Sequence, residues 1–213
     1  MKRLLVILSC ALALPMLAPQ AAAQSFGQYG GADPLPVNGR LFGVYLNASD
    51  SVVGILGQLR LSFYPGIDFG FQGGLARADN GASDRTTLRL GGDLKGLFSR
   101  AGEQGPLDLA VGGHLGVEVG DSYNVLRLGP NLVASRALPV GENGAVVPYG
   151  SLGLMFSRVS AGAADESDFS FPMRAGIEVR AMPEFRFLAE LQVSIGDDFN
   201  DDVGLAAGIN LPF

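Results

Sequence analysis

His114 is the only histidine in the chain, and on a two-residue alternation it shares a face with Asp108 and Glu118. An imidazole between carboxylates suits general acid–base work, which also requires a nucleophile and an orienting group converging on one point. No second histidine and no His-x-Ser pair accompanies it. The expected role of His114 is therefore structural, and the chain is expected not to be an enzyme. The run Asp197-Asp198-Phe199-Asn200-Asp201-Asp202 offers the oxygen ligands that Ca²⁺ or Mg²⁺ prefers. It lacks the spacing and glycine of an EF-hand loop, so a solvated hairpin tip is the first expectation and divalent cations at the acidic loops the second. With one cysteine, Cys10, and no Gly-rich phosphate loop, neither a metal site nor a cofactor is expected.

The remaining chemistry-bearing residues form a set of opposite charges. Arg60, Arg89, Lys95, Arg127, Arg174, Arg180 and Arg186 stand against Asp68, Asp93, Asp108, Glu118, Glu178 and Glu190, seven cations to six carboxylates. All occupy the polar phase of segments in which apolar residues recur at every second position. Such a period of two marks β-strands with one apolar face. The segments are 40–47, 52–64, 67–77, 85–98, 107–119, 123–136, 146–159, 169–181, 185–195 and 203–213, separated by Gly/Asn/Asp/Ser/Pro clusters. In the second, Val53, Ile55, Leu59, Leu61 and Phe63 oppose Gln58, Arg60, Ser62 and Tyr64. Only the first is ambiguous, because Phe42, Val44 and Leu46 compete with Leu41 and Tyr45.

Ten strands with short connections imply consecutive antiparallel hairpins, and an open sheet of that size leaves two unprotected edges. Closure into an up-and-down β-barrel removes them. The expected fold is all-β, a closed antiparallel barrel of ten strands, or eight if weak segments stay outside the wall. An even count returns both termini to one end.

The polar face carries glycines such as Gly54, Gly70, Gly112, Gly129 and Gly176, which gain nothing on a solvated sheet but leave room inside a narrow lumen. Lysine is nearly absent: after residue 23 there is one, Lys95, against twelve arginines. A solvated sheet is ordinarily lysine-rich, whereas arginine suits enclosed, multiply bonded ion pairs. The charged face is therefore expected inside, as a lumen filled by paired charges, with the apolar face toward lipid. Aromatics near strand ends, Phe63, Tyr64, Phe98, Tyr149, Phe185 and Phe213 at one side and Tyr123, Phe156, Phe169 and Phe199 at the other, resemble interfacial girdles.

The N-terminus supplies the address. Lys2 and Arg3, an apolar run from Leu4 to Leu14 and the small residues Ala21-Ala22-Ala23 read as a signal peptide over 1–23. Residues 24–38 (QSFGQYGGADPLPVN) have no period and read as a flexible lead-in, and 39–213 as the barrel. Net charge of −6 leaves no basic groove, so no nucleic acid is expected as a partner.

The last segment, VGLAAGINLPF, places Val203, Leu205, Ala207, Ile209 and Leu211 at alternate positions before a terminal Phe213. This resembles the C-terminal strand signature of bacterial outer-membrane proteins, and the chain resembles small porin-like barrels of the OmpX or OmpA-barrel type. Pro212 departs from that signature and removes one ladder donor. The resemblance implies an outer-membrane location in a Gram-negative-type envelope, lipid as surroundings, and recognition by the barrel-assembly machinery. The expected function is an envelope-structural or surface-interaction role. A narrow porin-like channel for ions or small solutes is the alternative, and a soluble lipocalin-like carrier with its apolar face inward is a third.

Overall fold

A computed structural model describes residues 27–50, 52–79, 84–120, 123–142, 144–161, 164–196 and 203–213. Residues 1–23, expected to be a signal segment, and the acidic run 197–202 lie outside the described residues.

The strands are β1 (Arg40–Ser49), β2 (Val52–Tyr64), β3 (Ile67–Asp79), β4 (Asp84–Ser99), β5 (Asp108–Val119), β6 (Tyr123–Ser135), β7 (Leu138–Val140), β8 (Gly144–Gly153), β9 (Met155–Ala161), β10 (Ala164–Met182), β11 (Phe185–Ile195) and β12 (Val203–Pro212). All pair antiparallel, and β12 returns to β1 through Leu41↔Pro212 to Ser49↔Gly204, so the sheet closes. The wall has ten staves, because β8 and β9 run end to end between β6 and β10. Their separation has a local cause. Pro130 of β6 faces Leu154 and accepts its N–H at 3.0 Å, but has no N–H to return. β7 is a short extension paired with the start of β8.

Turns follow the residues that favour them. Tyr64-Pro65-Gly66-Ile67 joins β2 to β3 with Gly66 at φ 76°, a conformation that suits glycine. Asn38 takes φ 64° just before β1, where its N–H reaches Ser62 C=O at 2.7 Å.

The apolar phase faces outward around the circumference, with Val44, Ile55, Phe71, Leu90, Leu115, Leu128, Leu152, Phe187 and Ile209 exposed. The polar phase faces inward. The soluble-carrier alternative needs the reverse orientation and is overturned. In β1 the competition resolves with Leu41, Gly43, Tyr45 and Asn47 inside and Phe42, Val44 and Leu46 outside. At the end where β1 begins and β12 finishes, Phe63, Tyr64, Phe98, Phe185 and Phe213 are exposed. Two residues expected in the girdles instead point inward: Tyr149 is buried and bonds Glu190, and Tyr123 bonds Glu118. Phe199 lies outside the described residues. In β12, Leu205, Ala207, Ile209 and Phe213 face outward, while Val203 and Leu211 are half-buried. Past Pro212 the ladder continues, as Phe213 donates to Arg40 C=O at 3.0 Å. No described helix is long and apolar enough to cross a membrane, which does not bear on crossing by strands.

Residues 27–35, read from the sequence as part of a flexible lead-in, are placed inside the lumen. Gly27 to Ala32 and Leu35 are buried, and Asp33 and Pro34 half-buried. The segment runs from the level of Asp68, which receives Leu35 N–H, to that of Gln72, whose amide holds Gly27.

Candidate functional site

The alternation points Arg60, Asp68, Asp93 and Lys95 into one side of the lumen from β2, β3 and β4. Arg60 meets Asp93 at 2.8 Å and Asp68 at 4.0 Å, and Lys95 meets Asp68 at 3.3 Å. The Gln72 amide adds an N–H to Asp93 at 3.3 Å.

On the opposite side, β10, β11 and β12 build a second group. Arg174 lies 3.5 Å from Glu190, which also accepts from Tyr149 Oη and Gln192 Nε2, each at 2.7 Å. Glu178 takes Arg180 at 2.7 Å, Arg186 at 3.7 Å and Asn210 Nδ2 at 3.3 Å. The third group lies toward the far end, centred on Glu118 of β5. Arg89 approaches it at 3.1 Å, Arg127 at 3.2 Å, Thr87 Oγ1 at 3.0 Å and Tyr123 Oη at 3.2 Å. Charges enclosed in this way are tolerable because each carboxylate gains several donors, which offsets the loss of water.

Two of the expected residues join none of these groups. Asp108 accepts the Ala101 N–H at 2.9 Å and so fastens the connection before β5. The His114 ring nitrogen Nε2 lies 3.1 Å from Met155 Sδ, so its polar partner is a thioether and not a carboxylate. The His–carboxylate constellation suggested by spacing is therefore not assembled. Among the described residues no group of three or more His, Cys, Asp or Glu side chains is placed to hold a metal.

Sequence reasoning placed Gln58 on the inner phase but missed the bonds that the neutral residues make and the segment that fills the lumen. Tyr45 is fully buried and its hydroxyl donates to Asn210 Oδ1, with Gln58 Oε1 also 3.2 Å away. Tyr29 of the inserted segment stacks on Tyr45, bonds Asn47 Oδ1 at 2.8 Å, and has the Arg174 guanidinium 5.4 Å from its ring centre. Gln58, Asn210 and Gln192 all stand on the polar phase, the one signal available for them. Where Gly27 and Gln28 approach His114, Asn131, Ser151 and Arg174, the remaining cavity is about 10 Å³, roughly the space of one water.

No known protein-family model matches this chain, and no curated protein matches it. Among solved structures it is similar to an outer membrane channel from Pseudomonas putida F1, at 13% identity over 88% of this chain and 100% of that one, with a TM-score of 0.47. It is also similar to the β domain of the Bordetella autotransporter BrkA, at 16% identity over 82% and 98% with a TM-score of 0.44. A third similarity is to the N-terminal β-barrel domain of Pseudomonas aeruginosa OprF, at 10% identity over 83% and 98% with a TM-score of 0.36.

Proposed function

We propose that this chain is a bacterial outer-membrane β-barrel, sealed at rest, with a structural or surface-interaction role in the envelope. The observation that carries this reading is the inversion of the barrel: the outer face is an apolar belt around the whole circumference, and the charges are inside. Soluble monomers rarely expose contiguous apolar patches beyond a few hundred Å², so a belt of this extent calls for lipid. In lipid every backbone group needs a partner, and the closed ladder supplies one. Sealing is supported by the ion-paired side chains that line opposite sides of the lumen and by residues 27–35 packed between them. The outward Leu205, Ala207, Ile209 and Phe213 suit capture of the C-terminal strand by the barrel-assembly machinery.

The test is gel mobility of the protein from urea-washed outer membranes, with and without boiling. A faster-moving unboiled band in that fraction supports the reading, and recovery in the soluble periplasm without a heat shift overturns it.

A further inference from the structure

Residues 27–35 are held in the way a ligand is held. Among the described residues no β-ladder joins them to the wall. Wall side chains grip their backbone instead. The Gln72 amide bonds both N–H and C=O of Gly27, and Arg174 donates to Gln28 C=O at 2.9 Å. Lys95 donates to the C=O of Gly31 and of Asp33, each at 3.0 Å. Ser135 Oγ accepts the Ala32 N–H at 2.8 Å, and Asp68 accepts that of Leu35 at 3.0 Å. Water entering the lumen could meet the groups that such bonds release, whereas a stave held by ladders on both sides cannot leave without opening the wall.

The segment also completes the charge balance. The seven cationic side chains and six carboxylates of the wall are joined by Asp33, whose carboxylate meets Arg180 at 2.7 Å. Lys95, Arg174 and Arg180 thus each receive an oxygen from the segment. Most lumen pairs are dry, with Arg60 and Asp93 each at 4% exposure, but the Arg180–Asp33 pair is reached by water at 22% and 25%. Its attraction is therefore screened by dissolved ions.

We propose that residues 27–35 are a displaceable plug in an anion-preferring passage through the barrel, with Asp33 as a tethered anion. The proposal rests on the membrane-spanning reading above. Ten staves spaced about 4.8 Å apart and tilted by roughly 40° enclose a cylinder about 20 Å across between backbones, and the segment fills the part of it left between the side chains of the two opposite groups. Its departure leaves one surplus positive charge among the wall residues named, and removes oxygens from Lys95, Arg174 and Arg180. Cations lining a constriction favour anions.

The experiment is planar-bilayer recording in a KCl gradient, using the mature protein, a variant lacking residues 27–35, and Asp33→Lys, which keeps every residue but sets the segment against Arg180 and Lys95. Each is first tested for a heat-dependent gel shift. The wild type is expected to stay closed, and both variants to conduct with a reversal potential displaced toward that of chloride. Adding Gly31→Cys and Ser135→Cys to Asp33→Lys is expected to abolish conductance until a reductant is added, since a Gly31 Cβ would lie 3.0 Å from the Ser135 Cβ and a shift of the unladdered segment by about 0.5–1 Å reaches the separation a disulfide takes. Heat-modifiable variants that both remain closed, or that conduct with a potassium-directed reversal potential, overturn the plug. A wild type with no heat shift overturns the membrane reading beneath it.

Discussion

Tyr29 stacks on Tyr45 with ring centres 4.2 Å apart and planes inclined by 17°, joining a residue that precedes the barrel to one in the middle of its first strand. The pair is buried, with Leu56, Tyr149, Leu188 and Ala206 in the same cluster. An apolar island therefore sits inside a lumen otherwise lined by charges and amides. Replacing Tyr29 by Ala removes the ring and its hydrogen bond to Asn47 and is expected to cost about 3 kcal/mol. A lower temperature for the gel-mobility transition checks this, and an unchanged temperature contradicts the packing described.

Glu118 is the shared carboxylate of Arg89 and Arg127. Glu118→Gln keeps the shape but withdraws the negative charge, and breaking an enclosed ion pair from one side costs about 3–5 kcal/mol. Urea unfolding from lipid vesicles is expected to shift to markedly lower denaturant. Adding Arg127→Met is expected to recover part of the loss, since it removes one of the two stranded cations.

The outward position of Leu90 gives a test of sidedness, being half-exposed near the middle of β4. Leu90→Arg is expected to lower stability by about 2–4 kcal/mol, as for a charge near the bilayer midplane. Val53 is also exposed but lies next to the connection between β1 and β2, and Val53→Arg is expected to cost about 0–1 kcal/mol. Equal effects of the two in lipid-reconstituted unfolding contradict a membrane belt.

Phe213 is 68% exposed and packs little of its ring into the protein. Phe213→Ala is therefore expected to leave refolding in lipid vesicles nearly unchanged while reducing the amount that reaches the outer membrane in cells. Loss of both together points to a packing role, and loss of neither removes Phe213 from the assembly signal.

Alternation in the sequence determined the strands and the antiparallel closed barrel, because a period of two assigns every residue of a strand to one face once the phase is known, and the glycines of the charged face with the near absence of lysine pointed that face inward. It left β1 undecided, since Leu41 and Tyr45 are apolar residues on the inner phase, and pairing with β2 and β12 settles that phase in the structure. It also placed Tyr123 and Tyr149 at the rims, where only the positions of Glu118 and Glu190 show that both hydroxyls turn inward.

Asp108 and His114 carried the right charge and phase, yet which partners they met depended on neighbouring chain. Ala101 lies on a connection and Met155 on another stave, and neither contact has a local signature. Least legible was the stretch 27–35. Its glycines and prolines follow no period, so nothing in it announces burial. Gly27 is held by Gln72 across 45 positions, Ala32 by Ser135 across 103 and Asp33 by Arg180 across 147. The sequence determines a wall because a strand's faces are encoded by near neighbours. The tertiary structure alone decides what fills the wall, because those bonds exist only after the ring has closed around the segment.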